Sequence, residues 1–291
     1  MNKNLVSITW IPLWKCNFKC SYCDSPTKTN ALEFQPLEKI IDVFDNFIKI
    51  VKEENNRVEI TLSGGEPSIY PNFFDIIKYL TTVCDLVSIC TNLSFDSKKF
   101  FNMFKNVADK ISINPTFHPG CMKMEDFIYN LKNIKPFIFN KNNVNLVADQ
   151  YNIKEVDNIV KEINNIGIKV NILTFKYFTD KIKKNENLEQ RKYDNLEVLN
   201  SKKEIDKIKE SKEKQGLSLS EYEAGVKSSF GKRCLAGYKY IQIFPNGNIK
   251  RCTIDKTYLG NIFDKDFHLY NEPHKCVKKY CPHQFNLIVE E

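Results

Sequence analysis

Apolar runs of strand length alternate with longer stretches of helical period through roughly the first 175 residues. Residues 5–11 read as a strand, and residues 37–51 as a helix with apolar positions at Ile40, Ile41, Phe44, Phe47, Ile48 and Val51. The order repeats with strands at 58–62, 86–91, 110–114 and 144–148, each followed by a helix at 73–83, 95–107, 126–134 and 156–166. A sixth strand over 168–175 closes the series. Such β–α repetition predicts an α/β protein with a parallel sheet and helices outside, either an incomplete barrel or an open doubly wound sheet. Strands such as Val144-Asn145-Leu146-Val147 carry little alternation, as expected where both faces of a sheet are covered.

The pattern changes after residue 178. Residues 179–214 are dominated by Lys, Glu, Asn and Asp with sparse apolar positions such as Ile182, Leu188, Leu196 and Ile205, which predicts a solvated helix or two. Residues 240–244 and 249–252 then read as two strands around Pro245-Asn246-Gly247-Asn248, a strong hairpin signal. The predicted division is a barrel over 1–178, a charged helical connector over 179–228 and a small domain over 229–291.

Composition narrows the function without choosing it. With 291 residues and 42% hydrophobic positions the chain can bury a full core. No apolar run approaches the roughly 18 residues of a bilayer span. The formal charge of +7 is spread over lysines interleaved with acidic residues, which predicts a solvated surface and makes a nucleic-acid partner unlikely. The apolar stretch at 5–14 lacks a cleavage pattern, so reduced thiols and a cytoplasmic setting are expected.

The ten cysteines carry the chemistry. Cys16, Cys20 and Cys23 form Cys-x3-Cys-x2-Cys in the loop after the first strand. A cubane iron-sulfur cluster usually takes four thiolates, so three would leave one iron open to a non-protein ligand. A zinc knuckle closes with four ligands in paired spacing and fits this trio poorly. Ser63-Gly64-Gly65-Glu66-Pro67 follows the second strand, at the carboxyl edge where parallel sheets place their sites. Its glycines permit close backbone approach, and its carboxylate can pair with an ammonium group.

Together these motifs resemble the radical S-adenosylmethionine (SAM) superfamily over residues 5 to about 176. The resemblance implies a partial (β/α)6 barrel and a 4Fe-4S cluster on Cys16, Cys20 and Cys23. It also implies SAM bound at that cluster, with its methionine ammonium held at Gly64, Gly65, Glu66 and Pro67 and its adenine near Tyr22. Thr91 with Asn92, and Ser112 with Asn114, occupy positions where relatives place polar groups near the cofactor. The implied chemistry is one-electron cleavage of SAM to a 5′-deoxyadenosyl radical that abstracts hydrogen from substrate, fed by an external donor such as flavodoxin or ferredoxin under anaerobic conditions.

The tail resembles the SPASM/twitch extension of this superfamily, through Cys234-Leu235-Ala236-Gly237, Pro245-Asn246-Gly247, Cys252 and Leu259-Gly260-Asn261-Ile262, and it carries four cysteines, Cys234, Cys252, Cys276 and Cys281. These four would saturate one auxiliary 4Fe-4S cluster, although they satisfy a closed zinc site equally well. Cys84 and Cys90 read as packing residues. Cys121, in Thr116-Phe117-His118-Pro119-Gly120-Cys121, lies on the active-site edge, where a thiol could return a hydrogen atom to a substrate radical and His118 could act as base or bind substrate. The expected substrate is a small molecule or a ribosomally made peptide, altered by oxidation, cross-linking or epimerisation. The alternatives are a nucleotide in RNA and a non-enzymatic redox scaffold. Residues 1–4 offer no room for a leader-binding domain ahead of the barrel, so a peptide would need direct binding or a separate carrier.

Overall fold

A computed structural model describes residues 5–20, 23, 34–54, 57–139, 143–148, 152–174, 210, 228–278 and 287–289. The elements of the first half are β1 (Leu5–Leu13), α1 (Leu37–Glu54), β2 (Arg57–Gly64), α2 (Phe73–Val83), β3 (Leu86–Thr91), α3 (Ser97–Phe104), β4 (Ile111–Phe117), α4 (Met124–Ile134), β5 (Val144–Ala148), α5 (Val156–Asn164) and β6 (Val170–Thr174). Strands β1 to β6 pair in parallel, each with the next, as the α/β repetition predicts. The predicted connector from 179 lies largely outside the described residues.

Helix α1 forms because its apolar positions fall on one stripe: Ile40, Phe44, Phe47, Ile48 and Val51 are buried, while Ile50 on the opposite side is exposed. Trp10 of β1 packs on Phe44 with ring centroids 4.7 Å apart. A second aromatic knot joins α3 to the turn after α4, where Phe100 contacts Phe104 and Phe137. Each such ring removed from water contributes about 1.5–3 kcal/mol.

One expectation is corrected. The strands do alternate: burial along β3 runs half-buried then buried at every step, and β5 does the same. Helices cover one face, with Val87, Ile89, Leu146 and Ile172 fully buried. The other face lines an incompletely closed barrel and stays partly accessible. Its side chains are largely uncharged and polar, including Thr61, Ser88, Asn145 and Asn171, the last two joined amide to amide at 3.0 Å.

The tail extends the same sheet. Its strands are β7 (Arg233–Cys234), β8 (Tyr240–Ile243), β9 (Asn248–Lys250), β10 (Tyr258–Asn261), β11 (Asp266–Phe267) and β12 (His274–Lys275). β8 pairs in parallel with β1, Ser7 opposite Tyr240 and Trp10 opposite Ile243. β9, β10 and β11 add antiparallel strands beyond it, giving the order β11-β10-β9-β8-β1-β2-β3-β4-β5-β6. The hairpin predicted from Asn246-Gly247 is present, with Gly247 at φ +82° in the turn between β8 and β9. Ile241, Ile243, Ile249 and Leu259 join the main core. β7 and β12 form a separate small ladder next to a second core around Cys234 and Cys252.

Candidate functional site

Strand register brings the predicted motifs to one edge. Leu13 at the end of β1 lies opposite Gly64 at the end of β2, so the cysteine loop and the glycine loop leave the sheet side by side. Two backbone hydrogen bonds fasten them: Gly65 N–H donates to Leu13 O at 3.1 Å and Glu66 N–H to Lys15 O at 3.0 Å. The glycines serve this junction directly. A Cβ on Gly65 would fall 2.0 Å from Lys15 O and 2.6 Å from Trp14 O, and Gly64 has φ +108° with Leu13 O only 2.7 Å from its Cβ position. No side chain fits between the two loops.

Glu66 is 1% exposed, and its carboxylate is engaged by the protein. Oε1 accepts from Ser68 N–H at 3.1 Å and Thr91 Oγ1–H at 2.8 Å, and Oε2 accepts from Asn92 N–H at 2.8 Å. Burial pushes its pKa up, opposed by those hydrogen bonds. Glu66 therefore ties the end of β2 to the end of β3. Asn92 continues the chain of contacts: its Nδ2 donates to Asn17 Oδ1 at 3.0 Å and lies 3.9 Å from Cys16 Sγ. Asn17 in turn donates to Ser94 Oγ at 2.8 Å. Asn17 and Ser94 were not singled out in the sequence, where nothing beyond proximity to Cys16 and Asn92 marks them.

The thiols sit among these contacts. Cys16 accepts from Phe18 N–H at 3.3 Å, and burial raises its pKa. Cys20 faces the turn after β4, with His118 Nδ1 at 3.4 Å and Cys121 Sγ at 3.7 Å. The His118 ring meets Phe18 edge to face at 5.9 Å, and its burial lowers its pKa to about 4. Cys16, Cys20 and Cys23 are all partly accessible. Among the described residues no three His, Cys or carboxylate side chains converge as on a single ion. A cubane holds its thiolates on separate irons and does not ask for that convergence. N–H donors aimed at sulfur and access from solvent suit such a group.

The predicted residues of β4 are spread along the strand. Asn114 stands opposite Cys90 just inside the edge, whereas buried Ser112 pairs with Ser88 deeper in the barrel wall. Tyr22 lies outside the described residues, as does Cys281.

In the tail, Cys234 on β7 and Cys252 after β9 share the small second core, with Cys276 packed against it. The β7–β12 ladder sets Cys234 opposite His274, and Cys234 and Cys276 share a side-chain hydrogen bond. Hydrogen bonding from Cys234 pulls the Cys276 thiol below the ordinary thiol range. Arg251, buried beside Cys252, binds Asp255 Oδ2 at 3.3 Å and the carbonyls of Ala236, Lys275 and His274. It places a cation among three thiols and fits a thiolate-bound, anionic group. Sequence reading missed Arg251, though arginines immediately before Cys234 and Cys252 in a lysine-rich chain are a visible signal.

Residues 11–117 match the family profile of the Radical SAM superfamily. The match runs from the end of β1 through β4. The chain is 24% identical over 306 residues to the antilisterial bacteriocin subtilosin biosynthesis protein AlbA of Bacillus subtilis, an alignment covering 92% of this chain and 63% of AlbA. It thus spans less than two thirds of that relative's length. Among solved structures it resembles anSMEcpe with bound AdoMet (TM-score 0.60, 15% identity, 89% of this chain and 78% of the other). It also resembles Streptococcus suis SuiB bound to precursor peptide SuiA (TM-score 0.50, 15% identity, 91% and 64%). These structural likenesses show the fold alone, a parallel α/β sheet with helices outside. No described helix is long and apolar enough to cross a membrane.

Proposed function

We propose that this radical SAM chain is an enzyme that modifies a ribosomally made peptide, with its first 4Fe-4S cluster on Cys16, Cys20 and Cys23. One observation carries the reading: the glycine loop is bonded backbone to backbone onto the base of the cysteine loop, so the two cofactor motifs form one rigid unit. Bound there, the cluster and SAM supply one-electron cleavage of a carbon–sulfur bond and a carbon radical that removes hydrogen from substrate.

The chain's own residues position and enclose. Gly64, Gly65 and Pro67 set the loop's path, and its backbone polar groups are the holders proposed for the methionine end of SAM. Glu66 acts through Thr91 and Asn92, fixing the third strand end so that Asn92 reaches the cysteine loop. The uncharged polar inner wall, including Asn145 and Asn171, suits a substrate rich in amides. In the tail, Cys234, Cys252, Cys276 and Cys281 are the ligands proposed for an auxiliary cluster, with Arg251 offsetting its negative charge. An external one-electron donor of flavodoxin or ferredoxin type is part of the proposal.

The peptide assignment draws on AlbA, named for subtilosin biosynthesis, and on SuiB, solved with precursor peptide SuiA. The test is anaerobic reconstitution with iron and sulfide, followed by dithionite and SAM. The expected product is 5′-deoxyadenosine, increased by a short peptide encoded beside the gene, which should itself change mass. Full iron loading without 5′-deoxyadenosine would refute the enzyme reading; 5′-deoxyadenosine with every such peptide unchanged would refute the peptide assignment.

A further inference from the structure

Two groups on one turn converge on a single sulfur of the cysteine trio. His118 Nδ1 stands 3.4 Å and Cys121 Sγ 3.7 Å from Cys20 Sγ. The turn is shaped for this: Cys121 N–H donates to His118 O at 3.1 Å, and Gly120 between them has φ +80°. Phe18 meets the imidazole edge to face from the cysteine-loop side. Cys16 has a different set, Phe18 N–H and the Asn92 amide. The two sulfurs are therefore served by separate parts of the fold.

We propose that His118 and Cys121 are positioning residues for the Cys20 thiolate, donating N–H and S–H hydrogen bonds that make the first cluster easier to reduce. The proposal rests on the radical SAM reading and places both residues at a ligand rather than at the substrate. A cluster gains one electron and no proton on reduction, so negative charge grows on its thiolates. Donors fixed on a thiolate stabilise that added charge, and hydrogen bonds to sulfur are among the determinants of cluster potential. Because both donors sit on the β4–α4 turn rather than on the cysteine loop, this segment adjusts the cluster without supplying a ligand.

The test uses full-length protein reconstituted anaerobically and titrated with dithionite under EPR, following the reduced-cluster signal that changes when SAM is added. That signal separates the first cluster from any in the tail. His118→Phe keeps an aromatic ring against Phe18 but removes the donor, and Cys121→Ala removes the thiol. Each is expected to keep wild-type iron content. Each should also lower the reduced-to-oxidised ratio at a fixed donor potential by roughly tenfold, about 59 mV for a one-electron couple. Cys121→Ser should recover part of the loss. Wild-type midpoints in both His118→Phe and Cys121→Ala would overturn the proposal. So would loss of the SAM-sensitive cluster in Cys121→Ala alone, which would make Cys121 a ligand. A normal midpoint with lost turnover in Cys121→Ala would return that thiol to the substrate. If the wild-type chain forms no SAM-sensitive cluster, the radical SAM reading itself fails before the variants are compared.

Discussion

Replacing Gly65 by alanine tests whether the cysteine loop and the glycine loop form one unit. The new Cβ would lie 2.0 Å from Lys15 O, 2.5 Å from Lys15 C and 2.6 Å from Trp14 O. All three are backbone atoms, so no rotamer change relieves the overlap and the loops must separate by about 1 Å or more to reach ordinary contact. Separation strains the hydrogen bonds Gly65 N–H to Leu13 O and Glu66 N–H to Lys15 O, each contributing about 0.5–1.5 kcal/mol. Overpacking adds about 1–3 kcal/mol, for a combined loss of about 2–6 kcal/mol. Gly120→Ala is the matched control. Its φ of +80° imposes about 1–2 kcal/mol of left-handed strain, but a Cβ there meets nothing within 4 Å. The assay is the urea midpoint of the cluster-free protein together with iron content after reconstitution. Gly65→Ala should fall well below Gly120→Ala on stability and should lose iron at the first site. Equal stability and equal iron in the two variants would refute the reasoning.

Glu66→Gln should cost about 2–3 kcal/mol by chemical denaturation, because its NH2 would face at least one of the N–H and O–H donors that now point at the carboxylate. Arg251→Met should destabilise by about 3–5 kcal/mol by leaving the buried Asp255 carboxylate without its cation partner, held by Thr257 N–H and Oγ1–H at Oδ1; Arg251→Lys should recover part of this while failing to span the three carbonyls. In the cluster-free chain the folded His118 pKa of about 4 lies below the ordinary 6.5, so the unfolded state binds the proton first. Its contribution is complete above about pH 6.5 and falls by up to about 3 kcal/mol as pH drops toward 4, a slope that His118→Phe should remove from urea midpoints. Iodoacetamide at pH 8, read by peptide mass mapping, should label Cys276 before Cys84: the Cys234 hydrogen bond pulls the first below the ordinary thiol range, and burial pushes the second up to about 12.

The barrel was legible because each strand and helix announces itself locally. α2 over Phe73–Val83, β3 over Leu86–Thr91 and β5 over Val144–Ala148 lie where the apolar periods put them. The cysteine and glycine motifs were legible for a different reason, since spacing in a loop fixes which residues leave a strand end together. What stayed hidden depends on contacts between distant segments. The pairing of β8 with β1 joins residues more than 230 positions apart, and no local period encodes it. The work of Glu66 was likewise invisible: a carboxylate after two glycines suggests a ligand, and only the fold reveals three internal donors around it. The accessible inner wall escaped notice because a run such as Val144-Asn145-Leu146-Val147 looks the same in a closed sheet and in an open barrel.

The parallel seam between β1 and β8 orders events during synthesis. When the ribosome has delivered the first six strands, β1 still presents one bare row of amides and carbonyls, the kind of margin that recruits stray chains. Relief waits until Tyr240–Ile243 emerges, some 230 residues after the strand it covers. Until then the nascent chain would depend on shielding by other factors, since long-range strand pairing is slow and leaves such intermediates prone to aggregation.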